Sequence, residues 1–100
     1  MENNVLVTQI VRIIDLKSEV DVRLERACQM LDDLNTEYFF NEDPTEEEMD
    51  RFMYGYERAR IHFEIAYLNM CEADEKMGTI GRMLRNISKM LANDPQEVEK

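Results

Sequence analysis

Few side chains in this 100-residue sequence have the types and spacing that chemistry requires. The single histidine, His62, has Glu64 two residues away, whereas a di-iron bundle requires paired Glu-x-x-His motifs. Cys28 and Cys71 lie inside helical patterns without a Cys-x-x-Cys partner, so we expect buried free thiols rather than a zinc site. The sequence predicts no catalytic residue, no metal site and no cofactor, and hence a protein that is not an enzyme.

The acidic connector NEDPTEEE is the remaining candidate for ligand binding. It lacks the central glycine and the ligand order of an EF-hand loop. No Walker lysine loop, GxGxxG or GxSxG motif occurs elsewhere in the sequence. A metal carrier or an enzyme is therefore only a distant alternative, kept because a lone histidine can act as a general base.

The first half of the sequence predicts one long helix. Apolar residues recur there in alternating steps of three and four, a seam that is typical of helices packed side by side. Its members, with Lys17 as the polar exception, are Leu6, Ile10, Ile13, Lys17, Val20, Leu24, Ala27, Leu31, Leu34 and Tyr38.

The connector FFNEDPT should reverse the chain, since its proline, asparagine and aspartate favour turns. Thr45, followed three residues later by Glu48, matches a capping box that starts a helix. Asp43 and Pro44 followed by Glu46 offer a second way to start the same helix.

A second seam follows the connector. Its members are Met49, Phe52, Tyr56, Ala59, Phe63, Ala66, Met70, Ala73, Met77, Ile80, Leu84, Ile87 and Leu91. Gly78 and Gly81 interrupt its composition, at about 1 kcal/mol each relative to Ala, and indicate a kink or a turn into a third helix. The predicted organisation is helices at about residues 5–38, 45–77 and 79–92 in one domain, 1–93, followed by a polar tail, 94–100.

The short connector predicts that the two long helices lie antiparallel. Small residues would then face large ones, with Ala27 near Tyr56 and Val20 near Phe63. The predicted fold is therefore all-α: a long antiparallel helical hairpin with a kinked or third C-terminal helix, which forms a helical bundle on dimerisation.

The second helix carries another apolar stripe, about half a turn away from its seam. Its residues are Tyr54, Ile61, Ile65 and Leu68. Three alternatives could bury this stripe: the C-terminal segment folded back over it, a second copy of the chain in a homodimer, or a different protein. We favour the homodimer, because the C-terminal segment is short and uses its own apolar face to continue the seam.

Most of the net charge of −10 lies at the predicted chain reversal. Nine carboxylates occur there without an intervening Lys or Arg: Asp32, Asp33, Glu37, Glu42, Asp43, Glu46, Glu47, Glu48 and Asp50. One interpretation is helix-dipole stabilisation and a polar loop tip. The other is an acidic tip that steers a basic partner surface toward the protein, with neighbouring aromatic residues as anchors.

The remaining partner classes can be narrowed by charge and hydropathy. An acidic chain repels phosphates, so we expect no direct nucleic-acid binding. The apolar start is broken by Thr8, Gln9, Arg12 and Asp15 and lacks the features of a signal peptide, so we expect a cytoplasmic protein that does not bind membranes.

The segments LDDLNTEYFF and YERARIHFEIAYLNM resemble small acidic helical accessory proteins of prophages and mobile elements in Gram-positive bacteria. The similarity covers about residues 31–70. It implies an accessory or host-interfering protein, a class that includes anti-CRISPR-type inhibitors, and it carries over no catalytic residue.

These patterns predict a non-enzymatic protein–protein interaction module that presents its acidic tip to a basic, nucleic-acid-binding surface of a partner protein. The alternative function is a structural or assembly protein, in which the helical bundle has no ligand.

Overall fold

A computed structural model of the chain describes residues 3–93. The structure comprises α1 (Asn3–Leu34), which continues into a π-helical turn (Asn35–Phe39), then α2 (Glu46–Tyr54) and α3 (Tyr56–Ala92). No strand occurs among these residues, so the predicted all-α class is confirmed. The predicted polar tail, 94–100, lies outside the described residues.

The chain forms two compact units, and the long helices α1 and α3 contribute to both. Among the described residues, unit 1 contains 3–21 and 73–93, and unit 2 contains Val22–Glu72. The connector, α2 and the aromatic residues around it all belong to unit 2.

The hairpin direction follows from two ion pairs within unit 2. Arg23 Nε lies 2.9 Å from Glu72 Oε2, and Arg58 Nη2 lies 3.2 Å from Glu37 Oε1. Residue numbers therefore rise along α1 as they fall along α3, so that the two helices run antiparallel. This confirms the predicted helical hairpin.

The register of the hairpin differs from the predicted one. In unit 1, Val20 is buried in one cluster with Leu16, Ala73 and Ile80, so the predicted pairing of Val20 with Phe63 is wrong. The physical reason is the length of the reversal. The prediction assumes that the second long helix begins directly after the connector. In the structure α2 comes first and α3 begins only at Tyr56, so the residues of α3 that face α1 have higher numbers than predicted.

Only one row of each predicted seam is buried in unit 2. Ala27, Ala59 and Ala66 are buried, whereas the large seam residues Phe63 and Met70 remain about half exposed. The small alanines let the two helix axes approach closely, which leaves the larger neighbours beside the interface instead of inside it. The predicted burial of the whole seam is therefore wrong.

The opposite edge of the same interface contains polar side chains. Asn69 is buried; its Nδ2 donates a 2.8 Å hydrogen bond to the Ile65 carbonyl, and its Oδ1 accepts one from Arg23 Nη1 at 3.4 Å. Arg23 also pairs with Glu72. These bonds satisfy a polar group that would otherwise be costly to bury, and they join α1 to α3 at that edge.

The predicted turn into a third helix at Gly78 and Gly81 is wrong, because α3 runs unbroken through both, whereas the alternative of a kink stays a prediction. Ile80 is buried and Met83 packs against the same cluster in unit 1, and burying such side chains outweighs about 1 kcal/mol per glycine. A continuous α3 also lacks the reversal that a folded-back C-terminal helix requires.

The second helical segment breaks instead at Gly55, which separates α2 from α3. The Gly55 N–H donates to the Arg51 carbonyl at 3.0 Å, and a methyl group at this position would overlap the Tyr38 hydroxyl. A residue without a side chain therefore allows Tyr38 to pack against the junction.

The start of α2 agrees with the first of the two predicted starts. The Glu48 N–H donates to Thr45 Oγ1 at 3.1 Å, and the Thr45 N–H donates to Glu48 Oε1 at 3.0 Å. These reciprocal bonds are a capping box, which satisfies backbone donors that the first helical turn leaves free.

Candidate functional site

An aromatic cluster fills the chain reversal in unit 2. Phe52 on α2 contacts Tyr38 and Phe39 of the π-helical turn, with ring centroids 5.3 and 5.5 Å apart, and Tyr56 at 5.8 Å. Edge-on and tilted geometries of this kind are favourable for aromatic rings. The cluster holds α2 against the end of α1 and explains why these aromatic residues occur together in the sequence.

Two other aromatic residues near the tip remain outside this cluster. Tyr54 is 93% exposed, and Phe40 is also exposed. Such side chains contribute little to the fold and are available for contact with another molecule.

A groove of about 450 Å³ lies beside the aromatic cluster, between the connector and α2. Its lining residues are Tyr38, Phe39, Asn41, Glu42, Pro44, Glu48, Met49, Phe52 and Met53. Met49 and Met53 are exposed, although the seam pattern predicts Met49 in the core. The sequence interpretation missed this groove; the signal was the four-residue spacing of Met49 and Met53, which places both on one face of α2.

A smaller cavity of about 210 Å³ adjoins the same aromatic side chains, since Phe39 and Phe52 line both. Its other lining residues are Leu34, Tyr56, Ala59, Arg60 and Phe63. The reversal therefore presents apolar surface on more than one side of the Phe52 ring.

The structure divides the nine carboxylates of the predicted acidic tip by their contacts. Glu37 pairs with Arg58, and Glu48 closes the capping box. Glu42 and Glu48 are brought together as acidic lining residues of the larger groove. Asp33 is half-buried. The remaining five carboxylates are exposed on unit 2: Asp32, Asp43, Glu46, Glu47 and Asp50.

The capping box also fixes the charge of Glu48 at the groove. The Thr45 N–H bond, followed by the bond with the Thr45 hydroxyl, holds the pKa of Glu48 below its ordinary value of 4.5. The Asn41 amide and the Arg51 charge act in the same direction. Glu48 is therefore ionised at neutral pH and contributes negative charge to the groove rim.

The predicted self-association stripe lies on the part of the second helical segment that belongs to unit 2. Tyr54 lies at the end of α2, while Ile61, Ile65 and Leu68 lie on α3. Ile61 and Leu68 are exposed and Ile65 is half-buried. The helix break at Gly55 separates Tyr54 from the other three, so the stripe is not one continuous helical face.

The candidate chemical residues remain apart. His62 is half-buried, whereas Cys28 and Cys71 are exposed free thiols, so the predicted burial of these cysteines is wrong. The reason is their place on the helices, because neither cysteine lies in the buried row that contains Ala27, Ala66 and Ala73. Between residues 3 and 93, no three His, Cys, Asp or Glu side chains gather in a way that could hold a metal ion.

None of the helices in the described part of the chain combines the length and the apolar character needed to cross a membrane. Comparisons of the chain with protein-family models, with curated proteins and with solved structures found no match.

Proposed function

We propose that this protein is a non-enzymatic protein-binding module whose groove between the connector and α2 receives a basic, apolar-anchored segment of another protein. The observation that supports this proposal is the combination of exposed Met49 and Met53 with acidic Glu42 and Glu48 in one groove. Apolar floor and acidic rim match the two faces of a basic amphipathic helix.

Each part of the groove has a physical role in such binding. Methionine side chains are flexible and polarisable, so Met49 and Met53 can adapt to different apolar anchors. Phe52 supplies a rigid aromatic surface between them. The exposed carboxylates around the groove attract a cationic partner over a distance and raise its rate of association.

The biological partner that we propose is a protein with a basic, nucleic-acid-binding surface, which the acidic tip would occupy in place of phosphates. On this proposal the chain acts in the cytoplasm as an inhibitor of the kind found among prophage accessory proteins. The resemblance of residues 31–70 to such proteins supports this finer assignment. We further propose that the functional form is a homodimer.

A second candidate function is a structural helical bundle without a ligand. The apolar residues that remain exposed beside the hairpin interface favour it, because a larger bundle would cover them. The two functions differ at the groove, which only a protein-binding module needs to keep accessible.

The test is a titration with a defined probe, a helical peptide of Lys and Leu, compared with a Glu and Leu peptide of equal length. We expect the basic peptide alone to bind at low salt. The triple variant Glu42→Gln, Asp43→Asn, Glu46→Gln, which removes exposed charge at and beside the groove, should raise its dissociation constant roughly tenfold. A matched variant, Asp15→Asn, Glu25→Gln, Asp74→Asn, removes as much charge from exposed positions outside the tip and should change it much less.

The apolar floor is tested with Met53→Ser, for which Leu68→Ser is the control, since Leu68 is exposed on α3 outside the groove. Equal losses for both charge variants and for both apolar variants would reject the groove as the binding site. If the peptide bound neither the wild type nor any variant, the result would favour the second candidate function, a structural bundle without a ligand.

A further inference from the structure

One row of large apolar residues on α3 remains exposed in unit 2. Tyr56, Phe63 and Met70 are 53%, 57% and 49% exposed, and each is seven residues from the next. Tyr67 stacks on Phe63 with ring centroids 6.4 Å apart and an interplanar angle of 20°. The row follows the heptad repeat that helices use for packing, yet within the described chain it flanks the interface.

The facing segment of α1 adds residues to the same side of unit 2. Leu31 lies four residues after buried Ala27, as Phe63 lies four residues after buried Ala59. In two antiparallel right-handed helices, positions four residues after the buried rows point to the same side of the pair. Leu24, seven residues before Leu31, is exposed there as well.

We call this surface the heptad face of unit 2, and its residues are Leu24, Leu31, Tyr56, Phe63, Tyr67 and Met70. Half-exposed side chains of this size leave about 75–100 Å² each, so the face is on the order of 500 Å². Exposed apolar patches of that size mark interaction surfaces, and a standard interface uses about 800 Å² per partner. The heptad face alone supplies more than half of that area.

Unit 1, taken by itself, repeats the pattern. Met77 and Leu84 are exposed on α3 with the same seven-residue spacing, and Ile10 is exposed on α1. Exposed apolar residues at heptad spacing therefore occur in each unit.

The charge of the heptad face argues against a strongly charged partner. Arg60 lies beside it, but its guanidinium is held by Glu57 at 2.8 Å and by Glu64 at 3.3 Å. The face therefore carries little unbalanced charge, in contrast to the acidic tip. An apolar surface with a heptad repeat on both of its helices is complementary to a copy of itself.

We infer that a second copy of this chain covers the heptad face, so that two hairpins form a four-helix bundle with Phe63 and Met70 in its core. The inference rests on the proposed homodimer and assigns its surface, and it replaces the Tyr54, Ile61, Ile65 and Leu68 stripe in that role. In the bundle both rows of each seam are buried, as the heptad pattern requires.

The test measures molar mass by light scattering over a concentration series of the whole chain. We expect the wild type to have the mass of two chains. The variant Phe63→Glu, Met70→Glu should be monomeric, with its dimer dissociation constant raised on the order of 100-fold or more, because each charge would be desolvated in the bundle. Circular dichroism checks that its helix content is kept, and Phe63→Ser provides a second variant without added charge.

The matched control is Ile61→Glu, Leu68→Glu, which places the same charges on α3 at positions that are 43% and 53% exposed. It should stay dimeric. If the control becomes monomeric and the Phe63 and Met70 variant stays dimeric, the homodimer forms through the stripe that contains Ile61 and Leu68, and the assigned surface is wrong. A monomeric wild type at high concentration would overturn the homodimer itself and leave the heptad face to a different protein. Binding of the basic peptide is measured separately, so neither result decides the proposed function of the groove.

Discussion

The hydroxyl of Tyr38 occupies the position that a side-chain methyl group on residue 55 would take. This contact joins the end of the first helix to the junction of α2 and α3, so that a side chain at residue 55 would require the Tyr38 ring to move. The packing at the chain reversal therefore involves a residue that no heptad pattern marks as important.

We expect Gly55→Ala to destabilise the protein by about 1–3 kcal/mol, because the added methyl group must displace Tyr38 and the aromatic cluster around it. Gly78→Ala is the matched control. Its methyl group would meet only the Arg82 guanidinium at an ordinary 3.6 Å, and it removes a glycine from a helix interior. It should stabilise the protein by up to about 1 kcal/mol. Chemical denaturation measures both; a neutral Gly55→Ala would contradict the packing at the junction.

The capping box gives a second prediction. Thr45→Ala removes the hydroxyl that accepts from the Glu48 N–H and should cost about 1 kcal/mol of stability. Thr8→Ala is a suitable control, because the exposed Thr8 hydroxyl donates to the Asn4 carbonyl within α1 and caps nothing. Equal unfolding free energies for Thr45→Ala and the wild type would show that the cap does not stabilise α2.

The pKa of Glu48 predicts a dependence of this cap on pH. Since the folded state holds that pKa below 4.5, the stabilising effect is fully present above pH 4.5 and is lost as pH falls through the folded pKa. An NMR titration of the Glu48 carboxyl carbon measures the shift. In Thr45→Ala the pKa of Glu48 should move part of the way back toward 4.5, because alanine keeps the backbone N–H and loses only the hydroxyl; an unchanged titration would contradict the role of the Thr45 hydroxyl.

Arg23 provides a further test, at the polar edge of the interface. Arg23→Met keeps the apolar stem but removes the donors to buried Asn69 and to Glu72, and we expect a loss of about 1–3 kcal/mol. Arg60→Met breaks two ion pairs within one exposed helix face and should cost clearly less than Arg23→Met, because solvent screens both pairs. Similar losses in the two variants would contradict the special role of the Asn69 contact.

Much of the fold follows from the sequence because it depends on local rules. Helix periodicity gives the long helices, and the Thr45 and Glu48 spacing gives the start of α2. The register is not local: it depends on how many residues the connector and α2 place before α3, which starts at Tyr56. The cost of Gly78 and Gly81 in a helix interior is also a local effect. The burial of neighbouring apolar side chains is not local, and it outweighs that cost.

Only part of the candidate site could be predicted from the sequence, for a related reason. A heptad seam contains two rows of apolar residues. A pair of helices can bury one of these rows together with residues on its other side, and leave the second row exposed. Which row is buried depends on the close approach at Ala59 and Ala66 and on the Arg23 to Asn69 contact, both of which join distant parts of the sequence. The acidic residues were evident, whereas the groove requires α2 to be a separate helix.

The most direct test of the proposed groove is an NMR titration of the isotope-labelled chain with the Lys and Leu peptide, following every backbone amide. We predict that the largest shift changes occur at Glu48, Met49, Phe52 and Met53, with little change at Ile61 and Leu68. Changes spread evenly over the acidic residues, or concentrated on α3 away from the groove, would contradict the claim that this groove binds a basic partner.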